Sequence, residues 1–315
     1  MTKILVFLFL FFLNYSFGQD IHFSQNFIDR MYLNPSLIGD LQENSHRISV
    51  QRKSQWNSIS VPFSTFSISY EHKNIIKGLN LGVQFLNDKS GDSELTLNQM
   101  NIALSKNFNV LKVNRFSVGT ILGVAQKNLD FSELIFEEEE DFLNTSFIYP
   151  DIGIGINYKT NPYQILSYNV GVSSFHINKP NHSFNEDDNI KLSLKNNYHI
   201  GVKYIYQSDI IVYSSVMFTN QESSRELLIG SRVELELDEV KLIPLVYYRL
   251  EDAIILGIGV EKNNIQANMS YDINTSDLNI ASNNKGGFEF SLIYKWKKKK
   301  KNIVETIEEK CPKYL

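Results

Sequence analysis

Apolar and polar residues alternate one by one along most of this chain, and a period of two fits β-strands and no helix. Ile152, Ile154, Ile156 and Tyr158 alternate with Asp151, Gly153, Gly155 and Asn157. Phe288, Phe290, Leu292, Tyr294 and Trp296 interleave with Gly287, Glu289 and Ser291. Residues 66–71, 79–85, 200–206 and 254–261 repeat the pattern. Soluble sandwiches alternate as well, so further features must fix the surroundings. The segments run about 10 to 14 residues, where soluble strands average about 5 to 6. A strand tilted across an outer membrane needs about 9 to 11. The apolar face often ends in an aromatic, as at Tyr70, Phe108, Tyr158, Phe218, Tyr271 and Trp296, which suits the girdles at the two membrane interfaces. The other face is polar or Gly, with few of the Lys and Glu that coat a sandwich.

The pattern predicts strands over 46–56, 63–73, 78–88, 95–107, 115–128, 151–159, 163–175, 192–207, 209–220, 225–236, 239–249, 253–262, 264–274 and 285–297. That is about fourteen, an even number as single-chain bacterial barrels require. Connection length gives an independent test. Odd-numbered connections include the long segments 129–150, 176–191 and 275–284. Even-numbered ones are short, as at Asn161-Pro162, Ser208, Glu236-Leu237-Asp238 and Asn263, and a short eleventh near Glu251-Asp252 breaks the rule. Outer-membrane barrels sort short periplasmic turns from longer external loops in this way, and a sandwich has no reason to. The expected fold is therefore all-β: a transmembrane antiparallel outer-membrane β-barrel of about 14 strands over residues 46–297. With both termini periplasmic, 129–150 and 176–191 are external loops. Such a barrel is wide enough for a water-filled lumen or a plug, and inward positions such as Asn80, Gln84, Asn157, Lys203, Asn268 and Asp272 suit either.

The flanks read differently. Residues 1–18 carry Lys3, an apolar run over 4–13 and small residues at Ser16 and Gly18, the pattern of a secretory signal peptide. Cleavage leaves Gln19 first, and no Cys follows the small residues to mark a lipoprotein. Residues 19–45 show no clean period and include the turn signal Asn34-Pro35, so they are read as an N-terminal periplasmic or plug segment. Lys295 and residues 297–301 concentrate positive charge near the end of a chain whose formal net charge is −4. This gives no general pull towards nucleic acid. Residues 298–315 are read as a basic periplasmic tail. The single cysteine, Cys311, excludes a disulfide framework and any Cys-based zinc site.

Several short motifs then bear a resemblance. Gln19-Asp20-Ile21-His22-Phe23-Ser24-Gln25, Tyr32-Leu33-Asn34-Pro35-Ser36 and Gly39 resemble the mature start of the PorP/SprF family of Bacteroidetes. So do Arg52-Lys53-Ser54-Gln55-Trp56 with Pro62-Phe63, and Gly82 with Asn87-Asp88-Lys89-Ser90-Gly91-Asp92. Later matches are Pro150-Asp151-Ile152-Gly153-Ile154-Gly155, Gly171-Val172-Ser173 with His176, and Gly286-Gly287-Phe288-Glu289. Lys310-Cys311-Pro312-Lys313 is similar to the family's Cys-Pro-Arg tail, with Lys in place of Arg. The resemblance implies a non-enzymatic outer-membrane barrel of the type IX secretion and gliding machinery, needed for export or surface attachment of adhesin-like cargo bearing a C-terminal sorting domain. Outer-membrane lipid, that cargo, and periplasmic or outer-membrane secretion components are the implied partners. The motif residues Asn34, Pro35, Gly39, Gln55, Trp56, Asn87, Asp88, Gly91, Asp92, Cys311 and Pro312 are the candidate interaction positions.

The chemistry-bearing residues favour no catalysis. The acidic run at 137–141 lacks the ordered spacing of a calcium loop and reads as a charged external loop. Asp88 and Asp92 flank turn residues and read as a hairpin. The six histidines show no metal spacing, and no nucleophile elbow is present. No cofactor or metal is expected. A porin-like channel or substrate transporter is the alternative.

Overall fold

The computed structural model describes residues 20–41, 43–55, 63–90, 95–111, 113–129, 145–185, 187, 189–275 and 286–297. Residues 1–18, read above as a signal peptide, and Trp56, Gly91, Asp92, the acidic run 137–141, Cys311 and Pro312 lie outside them. Fourteen strands dominate: β1 (His46–Gln55), β2 (Phe63–Ile76), β3 (Leu79–Ser90), β4 (Leu95–Val110), β5 (Asn114–Asn128), β6 (Ser146–Lys159) and β7 (Leu166–Phe175). They continue with β8 (Lys195–Gln207), β9 (Ile210–Gln221), β10 (Ser224–Leu237), β11 (Val240–Arg249), β12 (Ala253–Lys262), β13 (Ile265–Asn274) and β14 (Gly287–Trp296). Each pairs antiparallel with its sequence neighbour, and β14 pairs with β1 from His46↔Trp296 to Gln55↔Gly287. The sheet closes on itself and leaves no unpaired edge.

The alternation sorts by environment as expected. Ile254, Leu256, Ile258 and Val260 of β12 and Phe288, Phe290, Leu292 and Tyr294 of β14 point outward and are exposed. So much contiguous apolar surface is what a lipid-facing wall requires. No helix among the described residues is long and apolar enough to cross a membrane, so any crossing is by strands. At one end the strands join through short turns such as Lys77-Gly78 and Asn263-Asn264. The opposite end carries the connections 129–145, 176–194 and 275–286. These are here the turn end and the loop end. The ninth connection, Glu222-Ser223, is shorter still than the eleventh, residues 250–252, so the loops beyond β9 and β11 do not follow the parity rule.

Several boundaries differ from the sequence reading, that of β6 by the most. β6 starts at Ser146, ahead of Pro150, because residues 146–153 pair with β5 while β7 joins only from Ile154. Pro150 therefore sits where one side of the strand has no ladder to break. The inward face also departs from the polar-or-Gly expectation. Leu228, Leu245, Tyr247 and Ile255 point inward and cluster with Met217.

What they pack against is the N-terminal segment. Residues 20–41 lie inside the barrel, bonded to most of its strands. Met31 and Ile38 pack with Ala103, Ile121 and Phe175, and Phe27 and Leu33 pack on the Met217 cluster. Ile28 and Ile38 are fully buried and Met31 is 1% exposed, each contributing about 1.5–3 kcal/mol of burial.

Candidate functional site

The plug descends the lumen from the loop end to the turn end. Its regular structure is one short helix, α1 (Arg30–Leu33), and a single 3-10 turn at Pro35–Leu37. Both begin where short polar side chains satisfy free backbone donors. Asp29 accepts from Tyr32 N at 3.3 Å, and Asn34 accepts from Ser36 N at 2.9 Å with Pro35 in the first position of the turn.

At the loop end Asp20 is the anchor. Its carboxylate meets His176 Nε2 at 2.8 Å, while His176 Nδ1 meets Asp151 at 2.8 Å. Lys195 lies 3.7 Å from Asp20 and 3.7 Å over the Tyr32 ring. Burial opposes the charge on Asp20, but the cations of His176 and Lys195 hold its carboxyl well below the usual range. Burial likewise opposes the imidazolium of His176, yet the two aspartates raise its pKa to about 9.

Below this, Glu289 of β14 gathers three donors: Ser24 N at 2.7 Å, Gln25 N at 2.9 Å and Gln51 Nε2 at 2.6 Å. Ser24 Oγ donates to Asp272 at 2.6 Å, and Arg249 Nη2 donates to Ser24 Oγ at 3.0 Å. Arg249 and Lys53 also pair with Asp272, at 3.2 and 3.4 Å, and Arg249 with Glu226 at 3.3 Å. On the β2–β3 side Asp29 accepts from Ser67 at 2.8 Å and Gln84 at 2.5 Å, and burial raises its pKa. Arg47 ties Ile28 O and Glu71 at 2.7 Å each. At the turn end Asp40 binds Arg115 and, at 2.5 Å, Lys159. These two cations and Arg30 hold its carboxyl low against the opposing effect of burial.

Two glycines set how closely plug and wall approach. A Cβ on Gly155 of β6 would stand 2.0 Å from Asn34 Oδ1. Asn34 uses the space to donate to Ile156 O at 3.0 Å and Val172 O at 3.2 Å. Gly39 takes φ +74°, a left-handed geometry that favours glycine, and donates its N–H to Glu71 at 3.0 Å.

The arrangement brings together Asn34, Pro35 and Gly39, all inside the lumen. The remaining described candidates fall elsewhere. Gln55 ends β1 opposite Gly287 and Phe63. Asn87 accepts nothing from the plug and donates to Asn98 at 2.8 Å. Asp88 points inward and takes Thr65 at 2.6 Å and Ser90 at 2.9 Å. The candidate positions omitted Asp20, His176, Arg47, Glu71, Arg249 and Glu289, although Asp20, His176 and Glu289 stand within the resemblance motifs. Arg47, Glu71, Arg249 and Glu289 share one feature: each is a charged residue at an inward position within a strand. Asn80, Gln84, Asn157, Asn268 and Asp272 do point inward, and all are nearly fully buried, which identifies their lumen as filled.

Chemically, the site is a dense polar seal. Each charge-assisted bond is about twice as strong as a neutral one, and removing one partner of a buried pair costs about 3–5 kcal/mol.

Comparison with known proteins matches this geometry. The family model described as type IX secretion system membrane protein PorP/SprF matches residues 15–294. No curated protein matches the sequence. Among solved structures the chain is similar to the toluene transporter TbuX of Ralstonia pickettii, with TM-score 0.57 and 9% identity, over 85% of this chain and 93% of that one. A FadL homologue of Pseudomonas aeruginosa gives TM-score 0.53 at 8% identity over the same shares. The monoaromatic hydrocarbon channel CymD gives 0.54 at 10%, over 86% and 93%. At these identities the likeness is one of fold: an outer-membrane barrel.

Proposed function

Since the chain belongs to the PorP/SprF family of type IX secretion system membrane proteins, an outer-membrane group of secretion barrels and not an enzyme class, we propose that it serves as a closed docking barrel. Its cargo is an adhesin-like protein bearing a C-terminal sorting domain, which it helps export or hold at the surface. Loop length supports placing the loop end outside, so that this end faces the cargo and the turn end faces the periplasm. The observation that carries this reading is the plug. Residues 20–41 are tied to the wall by ion pairs at Asp20 and Asp40 and by buried hydrogen bonds between them, and a barrel so filled is built to be recognised and not to conduct.

The porin-like reading makes the opposite demand. In planar bilayers the wild-type protein is expected to give no porin-sized conductance steps, and deletion of its gene to remove one or more sorting-domain proteins from the cell surface while antibiotic permeability stays unchanged. Large steady conductance from the wild type, with surface proteins unaltered in the deletion strain, would show a channel instead.

A further inference from the structure

Below the plug, in the turn-end half of the lumen, a chamber of about 440 Å³ reaches the turn residues Pro162, Asn263 and Asn264. That volume falls within the range of about 300–1,000 Å³ common for ligand pockets. Seven Lys and Arg side chains line it against three carboxylates. All three already have cation partners: Asp40 with Lys159 at 2.5 Å, Glu234 with Lys241 at 3.3 Å, and Glu261 with Lys295 at 3.0 Å.

Two cations are left over. Among the described residues Arg232 makes no hydrogen bond or ion pair, and Lys203 donates to Pro162 O at 2.9 Å and meets no carboxylate. Both belong to one transverse row, since Lys203 of β8 is the register partner of Tyr213 of β9, and Tyr213 that of Arg232 of β10. Arg232 is held in place without being neutralised. Its guanidinium lies 4.5 Å from the Phe27 ring centroid and 4.3 Å from that of Tyr213. A stacked guanidinium keeps its N–H edge free, and that planar fork matches a carboxylate with two parallel bonds. The rest of the lining is mixed. Leu37, Leu41, Met217 and Ile293 offer apolar contact beside the cations, which a bare phosphate would not use and a polypeptide would.

We propose that this chamber is a receptor for an acidic, extended peptide segment entering from the turn end, with one carboxylate on Arg232 and a second on Lys203. In an extended chain residues two apart stand about 7 Å from each other, and the two cation-bearing strand positions are about 9–10 Å apart across β9. The flexible lysine stem spans the difference. This site does not depend on which secreted protein the loop end recognises, and it serves equally in a barrel of another machine.

The test uses the full-length protein in detergent and a fluorescein-labelled octapeptide of alternating Glu and Leu, followed by anisotropy. The acidic peptide should bind, a Gln-Leu peptide at least about tenfold more weakly, and 0.5 M salt should weaken the acidic complex strongly, because solvent-accessible charge pairs are screened at that ionic strength. Arg232→Gln and Lys203→Gln should each lower affinity about tenfold, while both variants keep the heat-dependent gel shift of a folded barrel. If Arg232→Gln loses that shift, Lys203→Gln alone carries the comparison. Equal binding of the Glu and Gln peptides, or affinity indifferent to Lys203→Gln, overturns the proposal. So does complete displacement of the peptide by inorganic phosphate at concentrations equal to the peptide's own, which would identify a simple oxyanion site.

Discussion

The two halves of the lumen differ in how their charges are used. Near the loop end a cavity of only about 30 Å³ lies beside Asp20, His22 and Glu226, and the ionic groups of plug and wall are matched to one another. Near the turn end about 440 Å³ stays open and the wall carries unmatched cations. Both halves are built from the same strands, with the same alternation and inward polar positions. The difference comes from where the plug is wide. Residues 20–33 cross the loop half with side chains reaching β1, β2, β3, β7, β8, β9, β13 and β14, whereas residues 34–41 lie close to β2–β7 and leave the opposite wall bare. Sealing and receiving are thus assigned to opposite ends of a single tube.

Breaking the tight half should give the largest effect. Glu289→Ala leaves Ser24 N, Gln25 N and Gln51 without their acceptor, a loss of several kcal/mol at about 1–3 kcal/mol for each orphaned buried donor. The expected result is a lower unfolding temperature on semi-native gels and plug residues newly open to protease, with conductance steps appearing in bilayers. Gly155→Val comes next. Its Cβ collides with Asn34, which must withdraw from Ile156 and Val172, at a cost of about 1–3 kcal/mol. Protease sensitivity near residues 34–41 should rise while the heat-dependent gel shift persists.

The loop-end anchor should depend on pH in a defined direction. The folded-state pKa of His176 is about 9, above its unfolded value of about 6.5. Its contribution is fully present below about 6.5 and is lost as pH rises through about 9, an effect on the order of 3 kcal/mol. Thermal stability measured from pH 6 to 10 should fall across that window, and His176→Ala should flatten the curve. The smallest effect belongs to the turn-end rim. Glu43 and Lys297 meet at 2.6 Å but are both widely exposed, and such pairs contribute little. Glu43→Ala should leave unfolding unchanged, and a clear loss there would mean that the rim shares in closure.

Much of the fold could be read in the residues. Ile152, Ile154 and Ile156 announced a strand with one lipid-facing side, and the spacing of such runs yielded fourteen strands and their pairing order. Pro150 misled, because a proline ends a strand only where both neighbours need its N–H, and only the finished sheet shows that β7 begins to pair at Ile154. The site was partly legible. Asn34-Pro35 and Gly39 stood out as turn chemistry in a segment without period. Arg47, Glu71 and Arg249 did not, since a charged side chain at an inward strand position looks the same whether it faces water or an opposite charge.

Alternation is a local property, fixed by adjacent residues and the pleat, so the chain's order alone settled strand type, number and the lipid-facing side. Partnership across the lumen joins residues as distant as Ser24 and Glu289. No neighbouring residue encodes it, and it exists only once closure of β14 onto β1 brings the wall around the plug. Closure therefore decided that the barrel is filled, which end is sealed, and where free cations remain.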